Sequence, residues 1–299
     1  MLNEEDKGHK EDYRRNLTAK PYLGLEQLQE ICKEPTRQEI TLAIQRMRNS
    51  RAPGDDTVVV ELIKCGEGVM DAVQELTKLI RTTESIPQEW NTGILCTLYE
   101  KGDKPECNNY KGITLLNNTC KIFSSILNER LKIVTEKITG EYQCGLRRNK
   151  STIDQIFVLR QMIEKHNEHG LHLHTLFIDF KQAFDSINRE RLFGAMDRMG
   201  IPQKLIRLVK ITMCQTKARE KTDDKLSAPF EFNKGIKQGD GVSTAPSILA
   251  QHYVAKEMDQ RGAIFTKSRQ ICAHADDVVI VTGSETGLRQ VYRETEEKT

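Results

Sequence analysis

The chain has 299 residues, enough for about two domains at roughly 150 residues each. At 37% apolar and 29% charged residues, it excludes collagen-like chains, low-complexity disorder and small disulfide-stapled scaffolds. Its 45 basic and 43 acidic residues leave a net charge of +2, so any nucleic-acid surface must be a local cluster rather than a polycationic coat.

No apolar run approaches the ~18 residues of a membrane span, and no membrane contact is expected. The start, Met1-Leu2-Asn3-Glu4-Glu5-Asp6, lacks the basic-then-apolar pattern of a signal peptide. The expected location is intracellular, nuclear or cytoplasmic, and not secreted. The eight cysteines include no CxxC pair and no zinc-spaced histidine, and read as reduced, mostly buried thiols.

Residues 1–34 read as a polar, flexible leader, frayed over its first 20 positions. Pro35-Thr36-Arg37-Gln38-Glu39 opens a helix on which Ile40, Ala43, Ile44 and Met47 recur at helical spacing. It stops before Arg51-Ala52-Pro53-Gly54-Asp55-Asp56, a turn signal. An amphipathic stretch runs from about Val58 to Ile80; Gly66 and Gly68 interrupt it, which leaves open one helix or two. Ile94 to Tyr99 reads as a strand, and Lys101 to Pro105 as a polar loop. A long helical run spans Thr119 to about Glu136, and a shorter one Asp154 to His166.

His174 to Asp179 is a short apolar strand ending in a carboxylate. Helices follow at about Arg189–Met199 and Pro202–Met213, and Pro229 to Phe232 alternates like a strand. Ser243 to Met258 reads as a helix with Ser243 able to cap it and Pro246 in its first turn, where a missing N–H costs little. The last elements are a hairpin-like pair, Gln270–His274 and Val278–Thr282, joined across Ala275-Asp276-Asp277. This order suggests an α+β sheet with helices on one face.

Two apolar strands thus end in, or turn through, aspartate. Aspartate is depleted in strands and costly to bury unpaired. If the strands are neighbours, Asp179 and the Asp276-Asp277 pair converge. Magnesium takes hard oxygen ligands, usually one or two carboxylates with phosphates and water. Two such ions about 3.5–4 Å apart serve in-line displacement at phosphorus. Consecutive strand residues face opposite ways, so Asp276 is expected as the main partner of Asp179, with Asp277 peripheral.

Phe177-Ile178-Asp179-Phe180-Lys181-Gln182-Ala183-Phe184-Asp185 resembles the first palm motif of reverse transcriptases. Gly235-Ile236-Lys237-Gln238-Gly239-Asp240-Gly241-Val242-Ser243 resembles the second, and Ala273-His274-Ala275-Asp276-Asp277 the third. Lys101-Gly102-Asp103, the stretch from Asn108 to Leu116 and the stretch from Tyr142 to Thr152 are similar to the finger motifs. Ala52-Pro53-Gly54 resembles the approach to the fingers in non-LTR, LINE-type retrotransposon polymerases.

The resemblance covers roughly residues 35–285. It implies a right-hand polymerase with fingers at 35–170, a palm with an antiparallel sheet at 171–299, and RNA-directed DNA synthesis. The implied partners are an RNA template, a DNA primer and dNTPs, and the implied cofactor is two Mg²⁺ ions, with Mn²⁺ as a substitute. Asp179, Asp276 and Asp277 match the catalytic metal-binding aspartates. Phe184 matches the bulky residue that excludes a 2′-hydroxyl, and Gln238-Gly239 would lie beneath the templating pair. Lys101 and Lys111 would neutralise the triphosphate. Arg147 and His274 would contact template or primer.

The chain departs from the pattern at His274, where Tyr or Phe is usual, at Thr244 in place of Pro, and at Lys111 in place of Arg. The helix after Thr244 is unusually polar at Gln251 and His252. Only 22 residues follow Asp277, so the thumb is expected to be absent. A catalytically inactive retrotransposon remnant that at most binds RNA is the alternative reading. A viral replicase or an intron-encoded maturase is a third, disfavoured by the Ala-Asp-Asp hairpin, the Phe184 spacing and the Ala52-Pro53-Gly54 region. The sequence specifies no oligomeric state.

Overall fold

The computed structural model describes residues 22–179, 187–213, 217–222, 225–231, 235–236, 241–256 and 269–296. The elements are α1 (Leu25–Ile31), α2 (Arg37–Arg46), α3 (Val60–Ile63), α4 (Glu67–Thr83), β1 (Thr92–Tyr99), β2 (Tyr110–Leu115), α5 (Asn118–Ile138), α6 (Thr152–Glu168) and β3 (His174–Asp179). There follow α7 (Arg189–Arg198), α8 (Gln203–Met213), β4 (Lys217–Thr222), β5 (Lys225–Leu226), β6 (Phe230–Glu231), α9 (Thr244–Lys256), β7 (Arg269–His274), β8 (Asp277–Thr282) and α10 (Glu285–Glu296). No helix among the described residues is long and apolar enough to cross a membrane.

The chain forms two compact units. Met1–Val134 with Phe184–Pro246 makes the first, and Thr135–Ala183 with Ser247–Thr299 the second. Each joins two stretches distant in sequence, whereas the sequence reading drew contiguous segments.

In the first unit, the reading of a flexible leader over residues 1–34 needs correction over 22–34, while residues 1–21 lie outside the described residues. Residues 25–31 form α1, and Leu23, Leu28 and Ile31 are buried. The segment is tied down by Arg130, whose guanidinium donates to the carbonyls of Ile31, Lys33 and Glu34 at 3.2, 2.6 and 3.2 Å. The helix expected to open at Pro35–Glu39 is α2; Thr36 caps it and forms a reciprocal capping box with Glu39, which satisfies two otherwise orphaned backbone donors. Ile40, Ala43 and Ile44 then pack with Ile63, Val73, Ile122 and Ile126. The Val58–Ile80 stretch resolves into two helices, α3 and α4.

A sheet in the order β2-β1-β4-β5, with β6 on β4, completes this unit. Only β1 and β4 run parallel; the other pairs are antiparallel. Trp90, ahead of β1, is buried with its ring 6.3 Å from that of Phe123 on α5.

The second unit is built on the antiparallel sheet β3-β8-β7. Its helices lie on both faces, not on one as the element order suggested. Val278 and Ile280 of β8 pack with Ile271, Ile178 and the α10 residues Leu288 and Val291. The alternating residues Val279 and Val281 pack with Cys272 and the α6 residues Leu159 and Met162. A strand with apolar residues at consecutive positions needs cover on both sides. That pattern, visible in Val278-Val279-Ile280-Val281, is why the one-sided arrangement does not form.

Of the seven described cysteines, Cys120, Cys144 and Cys272 are buried, Cys32 and Cys96 partly so, and Cys65 and Cys107 exposed. All seven are free thiols, but their burial is mixed rather than general.

Arg130 also meets Glu39 through two bonds, 2.8 Å from Nε and 2.9 Å from Nη2. Burial alone would raise the Glu39 carboxyl; hydrogen bonds from Arg130 and Thr36 outweigh it and hold the group below the usual carboxylate range. A carboxyl with a depressed folded-state pKa contributes stability above its unfolded pKa, about 4.3. That contribution is lost as pH falls through the lower folded value. Glu39→Gln leaves the buried guanidinium without its counter-charge. At pH 7 it should cost about 3 kcal/mol, the low end for breaking a buried pair, because a third of Glu39 faces solvent. Urea unfolding at pH 7 and at pH 3 checks both points: the gap between wild type and variant should narrow at the lower pH.

Candidate functional site

β3 alternates, with Thr175, Phe177 and Asp179 exposed and His174, Leu176 and Ile178 partly buried. Its antiparallel register with β8 sets Asp179 directly opposite Asp277, and β8 in turn sets Asp277 opposite His274 of β7. Opposed residues in an antiparallel ladder share a face. Asp179, Asp277 and His274 therefore form one row across three strands at the hairpin end of the sheet. The next row on that face holds Phe177, Val279 and Cys272.

Asp276 occupies the two-residue turn with Ala275. The register thus differs from the expectation that Asp276 faces Asp179 while Asp277 stays peripheral. β8 begins at Asp277, one residue earlier than read from sequence, so Asp277 takes the ladder position across from Asp179. Asp276 is instead approached by Gln251 Nε2 of α9, 3.3 Å from its Oδ1. Asp179 and Asp277 are exposed and Asp276 is partly buried.

A fourth segment braces the hairpin. Gln143 bridges to Ala273 in parallel fashion. Ala273 N–H donates to the Tyr142 carbonyl at 2.7 Å, and Cys144 N–H to the Ala273 carbonyl at 2.9 Å. Gly145 lies against the turn so closely that a Cβ there would come within 1.9 Å of Ala275 N. Tyr142 packs on the α10 face of the sheet. Its hydroxyl is 2.7 Å from His252 Nδ1, and the two rings stack at 6.1 Å. The polarity of α9 at Gln251 and His252, read as a departure from the family pattern, thus has partners within this unit. Gln143, Gly145 and Gln251 were not singled out from sequence as site residues; the polar pair inside a helix was the available signal.

The remaining expected residues divide. Arg147 has a side chain only 7% exposed. Its guanidinium donates to Glu136 at 3.1 and 3.0 Å and to the Gly140 and Gln143 carbonyls at 2.9 and 3.0 Å. Lys101 and Lys111 belong to the first unit, where both are exposed, and Lys111 Nζ is 3.8 Å from a Glu100 carboxylate oxygen. His274 is half-buried, and its Nδ1 has no hydrogen-bond partner among the described residues. Phe184, Gln238 and Gly239 lie outside the described residues. Thr244, the departure from Pro, donates to Asn128 Oδ1 at 2.9 Å, and the same oxygen accepts from Ala245 N–H at 3.1 Å. Asn128 thereby satisfies an N-terminal backbone donor of α9.

Burial pushes the Cys272 thiol up to about 11, with the neighbouring Cys144 adding to the shift. A thiol so far above neutrality is not a nucleophile at pH 7. Burial likewise drives the Tyr142 phenol above its ordinary range, partly offset by Arg147. Among the described residues no three His, Cys, Asp or Glu side chains converge as a group that could hold a metal.

Residues 100–299 match the family model described as "Reverse transcriptase (RNA-dependent DNA polymerase)". Similar curated proteins include the "Transposon TX1 uncharacterized 149 kDa protein" of Xenopus laevis, 25% identical over 82% of this chain and 19% of its own length. The "Probable RNA-directed DNA polymerase from transposon X-element" of Drosophila melanogaster is 23% identical over 81% of this chain and 26% of its own. The "Retrovirus-related Pol polyprotein from type-1 retrotransposable element R2" of Popillia japonica is 25% identical over 84% of this chain and 35% of its own. The chain therefore spans between a fifth and about a third of these relatives. Among solved structures, apo telomerase from Candida tropicalis truncated from its C-terminal domain superposes with a TM-score of 0.52 at 11% identity, over 79% of this chain and 58% of that one. The same telomerase in complex with a fragment of telomeric RNA gives 0.54 at 13% identity, over 79% and 42%. At that identity the likeness shows the polymerase fold alone.

Gly145→Ala tests the brace. Its methyl would strike backbone rather than a movable side chain, so it should cost at least the ~1–3 kcal/mol of overpacking. Gly68→Ala, on α4 with nothing within 4 Å of the new Cβ, is the control and should be neutral or slightly stabilising. Thermal unfolding midpoints of the two variants decide it.

Proposed function

The chain belongs to the reverse transcriptase (RNA-dependent DNA polymerase) family, and from that premise we propose that it is the polymerase segment of a non-LTR, LINE-type retrotransposon product. The reaction is nucleotidyl transfer from a dNTP to a primer 3′-hydroxyl, directed by an RNA template. The observation that carries the reading is the register pairing of Asp179 with Asp277 beside the Asp276 turn, inside the stretch that matches the family. The relatives named for transposons support the lineage.

What supports a divalent cation here is the donor chemistry of Asp179 and Asp277, opposed across the ladder with Asp276 in the turn; the three carboxylates do not already converge as a ligand group. Carboxylates placed directly opposite each other across a strand pair repel. Hard oxygen donors of this kind are what Mg²⁺ or Mn²⁺ takes, alongside phosphate oxygens and water. Asp179 and Asp277 would hold it from the ladder, and Asp276 from the turn. Bound there, two ions would activate the attacking hydroxyl and stabilise the leaving pyrophosphate.

The protein's own part is placement. β3 and β8 fix two carboxylates in a stiff row, and Gln251 donates toward the third. Phe177, exposed in the adjoining row of the same face, offers apolar surface along the primer path, and His274 supplies a polar ring at the end of the carboxylate row. Lys101 and Lys111 serve the triphosphate, Phe184 the sugar, and Gln238 with Gly239 the templating pair. Arg147 serves the template path through the loop that it braces, since its guanidinium is committed to Glu136, Gly140 and Gln143. The location that goes with this activity is nuclear or cytoplasmic, where RNA and dNTPs are available.

Primer extension on an RNA template with dNTPs and Mg²⁺ or Mn²⁺ tests the reading. Asp179→Ala should lower extension by more than about 100-fold, beyond the 10–100-fold typical of an outer-shell partner. Extension that survives the substitution would remove Asp179 from the site. If neither protein extends, but both bind RNA with an affinity that falls steeply with salt, the inactive RNA-binding remnant is the better description.

A further inference from the structure

We propose that the Gln143 carboxamide sets the shape of the Ala275–Asp276 turn and, through Gln251, the direction of the Asp276 carboxylate, making both glutamines positioning residues for the polymerase site. The proposal rests on the polymerase reading above. It concerns residues of the second unit alone.

Gln143 is 1% exposed. A buried carboxamide has two donor and two acceptor sites to satisfy, and here all four are used. Its Oε1 accepts from Gly145 N–H at 2.7 Å and Ala275 N–H at 3.0 Å. Its Nε2 donates to Gln251 Oε1 at 2.7 Å and to the Ala275 carbonyl at 3.2 Å. Ala275 is thus gripped at both its N–H and its C=O by one side chain. It needs the grip, because its φ of 51° is left-handed, a conformation unfavourable for a residue other than glycine.

The orientation of the amide is not free. Two backbone N–H groups point at one of its atoms, and that atom must be the oxygen. The nitrogen is then aimed at Gln251, which must answer with its own oxygen. Gln251 Nε2 is left to face Asp276 Oδ1, at 3.3 Å. The polarity of the relay is therefore fixed from the backbone outward, and it ends in a donor directed at an acidic oxygen. Asp277 gains its direction from the ladder. Asp276 sits in a turn, where torsion is softer, and the relay supplies the stiffness that a fully satisfied buried network gives.

Three variants of the full chain separate this from a merely structural role and from the polymerase reading itself. Gln143→Met removes all four bonds at similar volume. Gln251→Leu removes the link to Asp276 and the bond from Gln143 Nε2 to Gln251 Oε1 but leaves the three bonds of Gln143 to Gly145 and Ala275, and Asp179→Asn is the reference for cation binding. Two readouts are taken: amide hydrogen exchange resolved at Gly145 and Ala275, and Mn²⁺ affinity from the resonance of the free ion. Gln143→Met should speed exchange at both amides at least tenfold while the β3 amides keep wild-type protection. Gln251→Leu should leave that exchange unchanged. Both glutamine variants should weaken Mn²⁺ binding about tenfold.

Wild-type exchange at Ala275 in Gln143→Met would overturn the turn assignment, with or without a cation. Wild-type Mn²⁺ affinity in Gln251→Leu, while Asp179→Asn loses binding, would overturn the relay and leave the polymerase reading intact. Absence of Mn²⁺ binding by the wild type would overturn the cation reading together with the carboxylate half of this proposal. Should Gln143→Met fail to fold, the Gln251→Leu affinity decides.

Discussion

The site depends on one register. β3 and β8 pair so that Asp179 stands across from Asp277, and that register is held by the apolar side chains along the two strands. On one face Leu176, Ile178, Val278 and Ile280 meet α10; on the other, Val279 and Val281 meet α6. A slip of one residue would turn every side chain of a strand to the opposite face. With apolar cover on both sides, the slip would move Asp179 or Asp277 out of the shared row. Two acidic groups are thus held in one row by hydrophobic packing.

The turn that follows is a different problem. A ladder cannot aim a residue outside it, and Asp276 lies outside it. The structure answers with a buried amide reaching from the segment beside β7, and with a glycine at 145 that lets that segment come within van der Waals reach of the turn backbone. The brace consists of bonds between parts of the chain more than a hundred residues apart. It is therefore a product of the folded unit and not of local propensity.

In the first unit, Arg130 plays a comparable part. It gathers three carbonyls and the Glu39 carboxylate, and so ties α1 and the start of α2 to α5. Residues 31–34, the end of the segment read as leader, are tied down because a distant guanidinium supplies donors that the local sequence lacks.

Much of this was legible in the residues. The strand 174–179, the strand read as 278–282, the long helices and the helix opening at Pro35–Glu39 follow from period, branching and side-chain reach, which act over a few neighbouring positions. So do the ordered motifs that resemble those of the reverse transcriptase family, to which the chain belongs. What only the tertiary structure decided was contact across distance: that Asp277 rather than Asp276 faces Asp179, that helices cover both faces of the sheet, that Arg147 is spent on Glu136 and two carbonyls, and that Gln143 and Gln251 lead to the acidic turn. Those outcomes turn on single-residue register and on hydrogen-bond partners far apart in the chain. Periodicity carries no information about either, because it fixes which way a residue points and not what it meets.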